Sequence, residues 1–134
     1  MKIGVFDGAI SFAGGEIKPH MDRAHFLDSA IGRLARERLV NENWFHYHIS
    51  PEDGIAGTVL FRGDSIDRIF LTMRLPSDNL KEWSVEQELE RKAIHDVWLR
   101  DELGQPPYAF SWGTVTSDYD ARGCSSEIIV VYER

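Results

Sequence analysis

The sequence predicts an α+β fold: a five- or six-stranded, mainly antiparallel sheet with two helices packed on one face, forming a single globular domain over residues 1–134. Three observations predict it. From residue 21 onward the hydrophobic patterns run helix, three strands, helix, two strands. The connections between successive strands are too short for the crossovers that parallel pairing requires. The composition, 43% hydrophobic and 11% aromatic in 134 residues, supplies one core and excludes a disordered or collagen-like chain.

Before residue 20, an edge strand is expected at Ile10 to Phe12 or at Glu16 to Lys18, with Gly14-Gly15 as turn material because no phosphate-loop Lys-Ser/Thr follows it. The first helix begins near Asp22, a suitable N-cap. Leu27, Ile31, Leu34, Ala35 and Leu39 then recur at three- and four-residue steps as its buried face. Gly32 weakens such a helix by about 1 kcal/mol relative to Ala, so a break there into a short helix and a second turn is the alternative.

Three strands follow. Trp44 to Ile49 alternates, with Phe45, Tyr47 and Ile49 on one face and Trp44, His46 and His48 on the other. Ile55 to Phe61 and Ile66 to Leu75 flank Arg62-Gly63-Asp64-Ser65, a hairpin turn. In the second of these, Ile69, Leu71, Met73 and Leu75 lie opposite Arg68, Phe70, Thr72 and Arg74. The second helix starts at Ser84, three residues before Gln87 as in a capping box, and stops at Gly104 ahead of Pro106-Pro107. Val85, Leu89, Ala93, Ile94, Val97 and Trp98 form its apolar stripe. Tyr108 to Thr116 reads as one alternating strand, and the continuously apolar Ile128 to Tyr132 as an interior strand.

Acids outnumber bases 22 to 15, which excludes a general nucleic-acid binder, because that affinity comes from Lys and Arg neutralising phosphates. The excess is local: residues 76–107 hold eight acids and four bases, whereas residues 1–50 hold six of each. The acidic surface of the second helix, with Glu86 and Glu90, is either a solvated face tied by pairs such as Glu88–Lys92 and Asp96–Arg100 or a surface that steers a basic protein partner. No N-terminal run is apolar enough for a signal-peptide core, and no window approaches the roughly 18 apolar residues that span a bilayer. A cytoplasmic protein without membrane association is the expectation. The single Cys124 fits a reducing compartment and excludes an internal disulfide.

Candidate binding residues fall in two further places. His46 and His48 leave the same strand face as Trp44, so they either line a ligand or partner surface or are two half-exposed histidines. A shared metal would need a third ligand from Asp118, Asp120 or His95. The segment from Trp112 to Asp120 joins a strand to a polar loop. There Trp112, Asp118 and Asp120 are candidates for binding, against the ordinary role of Ser and Asp in turning a hairpin. Cys124 has no general base assigned to it and reads as an inert thiol. The sequence contains no nucleophile elbow, dinucleotide fingerprint or zinc-protease motif, so no catalytic residue, metal ligand or cofactor is assigned.

Trp83-Ser84, Glu88, Arg91-Lys92, His95-Asp96, Trp98-Leu99, Gly104, Trp112-Gly113, Ser117, Tyr119-Asp120, Ser126 and the run from Ile128 to Tyr132 share a texture with Phe26-Leu27, Ser29, Asn43-Trp44 and Tyr47. Together they resemble a family of small bacterial α+β proteins of unassigned function, similar to immunity proteins that accompany secreted toxins and to accessory proteins on mobile genes. The resemblance implies a protein partner and no defined catalytic residues. The order of elements is also similar to that of type III secretion chaperones, which implies a homodimer. The leading expectation is therefore a non-enzymatic protein-binding module. The alternatives are a small-molecule or metal-binding protein or simple hydrolase with a pocket between sheet and helices, and a chaperone-like homodimer.

Overall fold

Seven antiparallel strands form the main sheet of the computed structural model, which describes residues 1–51, 54–79 and 82–133. The chain first makes a separate three-stranded antiparallel sheet from β1 (Lys2–Ile3), β2 (Ile10–Phe12) and β3 (Gly15–Ile17). Two short helices follow, α1 (Arg23–Asp28) and α2 (Ala30–Arg33). The meander β4 (Arg36–Asn41), β5 (Trp44–Ile49), β6 (Ile55–Arg62) and β7 (Ser65–Met73) leads through a 3-10 turn at Pro76–Asn79 into α3 (Val85–Leu103). The strands β8 (Tyr108–Phe110), β9 (Gly113–Asp120) and β10 (Ser125–Tyr132) complete the main sheet, whose order is β4-β5-β6-β7-β10-β9-β8.

The α+β class and the antiparallel pairing hold. The expected five or six strands and two helices do not: among the described residues the main sheet has seven strands, the N-terminal strands form their own sheet, and there are three α-helices. The first helix breaks at Ser29, not at Gly32. The Ser29 N–H donates to Phe26 O, ending α1, and its hydroxyl accepts from the Gly32 N–H at 3.1 Å, starting α2. Gly32 is required for a different reason, since a Cβ there would lie 1.7 Å from the Phe26 carbonyl oxygen. Leu27 and Leu34 consequently face solvent, and the chain from Arg36 is strand; the Leu39 side chain lies outside the described part.

The hairpin at Arg62 to Ser65 is as expected, with Gly63 at φ 60°. By contrast, the stretch from Tyr108 to Thr116 is two strands. Gly113, at φ 153°, follows the turn at Ser111-Trp112, and a Cβ there would meet the Val131 carbonyl oxygen at 2.0 Å. β9 then continues to Asp120, so Ser117, Asp118 and Asp120 sit on a strand and not in a loop.

Register places Tyr47, Val59, Ile69, Val130 and Val115 in one row across five strands, all of them buried. This inner face carries two covers. The first is the small sheet with α1 and α2. It buries Ile10, Phe12, Ile17, Phe26 and Ile31, with the Phe26 ring 5.5 Å from Tyr47 and 5.3 Å from Phe61. The second is α3, which lies over β9 and β10. The opposite face, including Trp44, His46, His48, Phe70, Ile129 and Val131, is half-buried and carries neither cover.

Candidate binding surfaces

The local signals that set the ends of α3 act as expected: the Ser84 hydroxyl accepts from the Gln87 N–H at 3.1 Å, and Gly104 terminates the helix at φ 85°. Its rotation about its own axis turns most of the expected apolar stripe outward, with Trp98 of that stripe half-buried against the core. Val85, Leu89, Ile94 and Val97 are exposed, Leu89 by 49% and Val97 by 57%. The buried residues of α3 are Gln87, Glu88, Arg91, His95 and Leu99, four of them polar or charged.

The sheet explains the inversion. The β7–β10 ladder ends at the pair Leu71–Ile128; Met73 still pairs with Ile55 and Ser126 with Tyr119, but their backbone groups on the side where β7 and β10 part have no strand opposite. Side chains of α3 take the place of the missing ladder. His95 Nε2 accepts from the Met73 N–H at 3.0 Å, Arg91 Nη1 donates to the Met73 carbonyl, and Glu88 Oε1 accepts from the Ser126 N–H at 3.0 Å. Buried backbone groups must be paired, so helix positions at i, i+3 and i+7 are polar here for a structural reason. The guanidinium of Arg91 also forks onto Asp78, at 2.6 and 2.9 Å, and onto Glu88, at 3.1 and 3.2 Å.

These contacts shift the titrations. Hydrogen bonding from Arg91 holds the Asp78 carboxyl below the usual range. Burial, reinforced by the Arg91 charge, depresses His95 to about 4. His95 is therefore neutral at pH 7, and since Nε2 accepts from Met73 its proton lies on Nδ1, which has no hydrogen-bond partner among the described residues. In place of the expected pairs Glu88–Lys92 and Asp96–Arg100, Lys92 pairs with Asp96 at 2.9 Å, and Glu88 is buried and bonded to Arg91.

The outer side of α3 is apolar with acidic ends. Glu90, Ile94, Val97 and Asp101 follow at i, i+4, i+7 and i+11 and so form one ridge along the helix. Together with Met73, Ala93 and Trp98 they line an open groove of about 460 Å³. Glu86 and Glu90 are both exposed.

Trp44, His46 and His48 lie together on the uncovered sheet face. His48 Nδ1 is 3.1 Å from Thr58 Oγ1, and burial together with Arg38 and Arg74 lowers its pKa. Asp118 shares that face, but β5 and β9 are separated by β6, β7 and β10, a span of about 19 Å at ordinary strand spacing. His95 is on the opposite side of the sheet. The residues considered as a third ligand for His46 and His48 are therefore not brought to them, and among the described residues no three His, Cys, Asp or Glu side chains converge as a cation site requires. Trp112 is buried: it stacks on Phe110 at 4.9 Å, sits directly over Gly8, and donates its Nε1–H to Val5 O at 3.0 Å. No described helix is long and apolar enough to cross a membrane.

Sequence reasoning picked out the acidic residues of α3 but not the exposed apolar ridge between them. The pattern itself pointed the other way, because an apolar stripe opposite the face of Glu88, Arg91 and His95 ordinarily turns to the core. No protein-family model, curated protein or solved structure matches the chain.

Proposed function

We propose that this chain is a non-enzymatic protein-binding module whose partner docks on the outer face of α3. The observation that carries the reading is the inversion of that helix: Val85, Leu89, Ile94 and Val97 face solvent while Glu88 and Arg91 are buried. Exposed apolar ridges rimmed by polar residues are characteristic of protein–protein contact sites. The occupant is an amphipathic helix with an apolar centre and basic ends. Glu90 and Asp101 stand eleven residues apart, about 16 Å along the axis, and would meet a cation at each end. A second copy fits poorly, since antiparallel self-pairing about the ridge centre sets Glu90 against Asp101, and parallel pairing sets each against itself. An immunity-type action follows naturally from this mode, the module occluding the functional surface of a basic partner.

Amide-resolved NMR titration of the whole chain with two synthetic helical peptides tests the reading. Both have the same apolar centre; one ends in lysines and the other in glutamates. The lysine peptide is expected to shift amides from Glu90 to Asp101 and the glutamate peptide to leave them unmoved. Equal responses to both, or none along α3, would overturn the assignment.

A second reading, a homodimer through the uncovered sheet face, is favoured by the charge on that face. Arg62, on the same face as Trp44, lies on one side of an apolar centre formed by Phe70 and Ile129, and Asp118 and Glu127 lie on the other. A two-fold axis parallel to the strands would lay each half on its complement. Light scattering distinguishes the two, because only this reading expects a dimer of the free chain.

A further inference from the structure

Among the described residues, one edge of the main sheet is only partly paired. β8 pairs only with Gly113, Thr114 and Val115 of β9. Upstream of it the chain turns through Pro106-Pro107, and proline has no N–H to give to a ladder. Beyond Val115, the residues Thr116 to Asp120 pair with β10 on one side and, among the described residues, with no strand on the other. Alternate backbone groups along that stretch point outward, as on any strand edge.

A cavity of about 460 Å³ lies against this stretch. Its lining includes Thr114, Val115, Thr116, Ser117 and Asp118 without a gap. Thr116, Ser117 and Asp118 belong to the unpaired stretch, and because successive strand residues point to opposite faces, a cavity that touches all three reaches around the edge. Leu99, Pro106 and Tyr108 also line it, together with Lys92, Asp96 and Arg100 of α3.

We infer that this edge is a second binding site, separate from the outer face of α3, which takes an extended basic peptide segment as an added strand beside Thr116 to Asp120. The added strand continues the line of β8, antiparallel to β9, and gains main-chain hydrogen bonds from the free edge. Its side chains alternate. Those beside Asp118 and Asp120, which project from the uncovered face, are basic, because opposite charges on neighbouring strands attract and like charges repel. Those between them turn to the inner face and are apolar, filling the space before Leu99 and Tyr108. The same charges disfavour a second copy of this edge: antiparallel self-pairing centred on Asp118 places that carboxylate against its own image.

The test uses the isotopically labelled full chain and an eight-residue peptide that alternates lysine with valine and is capped at both ends. Titration is expected to shift the amides of Thr116 to Asp120. Methylating one set of alternate peptide amides abolishes the response, and methylating the other set does not, since only one set faces the ladder. The double variant Asp118→Lys with Asp120→Lys weakens the lysine peptide about tenfold and admits its glutamate counterpart. No response at Thr116 to Asp120 with millimolar peptide would overturn the inference, as would indifference to both methylation patterns. A response confined to Glu90–Asp101 would also overturn it while supporting the helix reading, and self-association at this edge would overturn the choice of occupant.

Discussion

The two covers of the inner sheet face are held by opposite chemistry. The N-terminal cover presents Ile10, Phe12, Ile17, Phe26 and Ile31, and every one of them is buried. The α3 cover presents Gln87, Glu88, Arg91 and His95 beside Leu99 and leaves Val85, Leu89, Ile94 and Val97 outside. Hydrophobic burial is non-directional, so the first cover needs shape and volume more than exact atomic placement. The second cover depends on individual hydrogen bonds to Met73 and Ser126, and each lost partner exposes a desolvated group. The comparison teaches that α3 is specified by where β7 and β10 part, and that this frees its apolar face for another use.

The largest expected effects come from cutting each cover once. Phe26→Ala removes a fully buried ring that touches Tyr47 and Phe61, and about 4 kcal/mol of stability should be lost in urea unfolding. Arg91→Met should cost nearly as much, about 3–4 kcal/mol, because Glu88 and Asp78 then remain as carboxylates without their shared cation. A loss below 1 kcal/mol for Arg91→Met would show that the polar cover is not held by its ion pairs.

Acid should separate the two covers further. His95 titrates at about 4 in the native state and near 6.5 once unfolded, so the unfolded chain binds the extra proton between those values. Stability is therefore unaffected by His95 above pH 6.5 and falls as the pH drops toward 4, by up to about 3 kcal/mol. Asp78, whose pKa is lowered by Arg91, acts at still lower pH, where its own stabilisation disappears on protonation. His95→Gln keeps an acceptor for the Met73 N–H and should flatten the urea midpoint between pH 6.5 and 4. An unchanged slope in that variant would remove His95 from the account.

Much of the fold was legible where local chemistry decides it. Strand β5 reads directly from its alternation, the β6–β7 hairpin from Gly63, and both ends of α3 from Ser84 and Gly104. What was hidden depends on distant residues. β4 carries Arg36, Glu37 and Arg38 without alternation and follows a helix directly, and only its pairing with β5 makes it a strand. The break at Ser29 is fixed because α2 folds Gly32 onto the Phe26 carbonyl. The rotation of α3 was hidden because periodicity locates an apolar face without saying whether this chain or another covers it. The same limit applies to the candidate sites. Trp44, His46 and His48 share a face as the alternation required, but their distance from Asp118 follows from a strand order that spacing does not contain.

The smallest expected effect on stability is the one that most sharpens the contrast. Ile94→Ser combined with Val97→Ser removes two exposed apolar side chains from a helix in which Ser, Ile and Val have similar intrinsic propensity. Neither residue belongs to the buried set of α3, so no core cavity opens, and the urea midpoint should move by no more than about 0.5 kcal/mol equivalent. Binding of the lysine-ended helical peptide should nevertheless be lost, because the apolar ridge between Glu90 and Asp101 is gone while both acids remain. A variant that unfolds more easily would mean that these side chains serve the fold of the chain. One that keeps its stability and its full affinity would mean that the acids alone attract the partner. Loss of binding at constant stability is the result that separates a face kept for another protein from one that merely happens to be exposed.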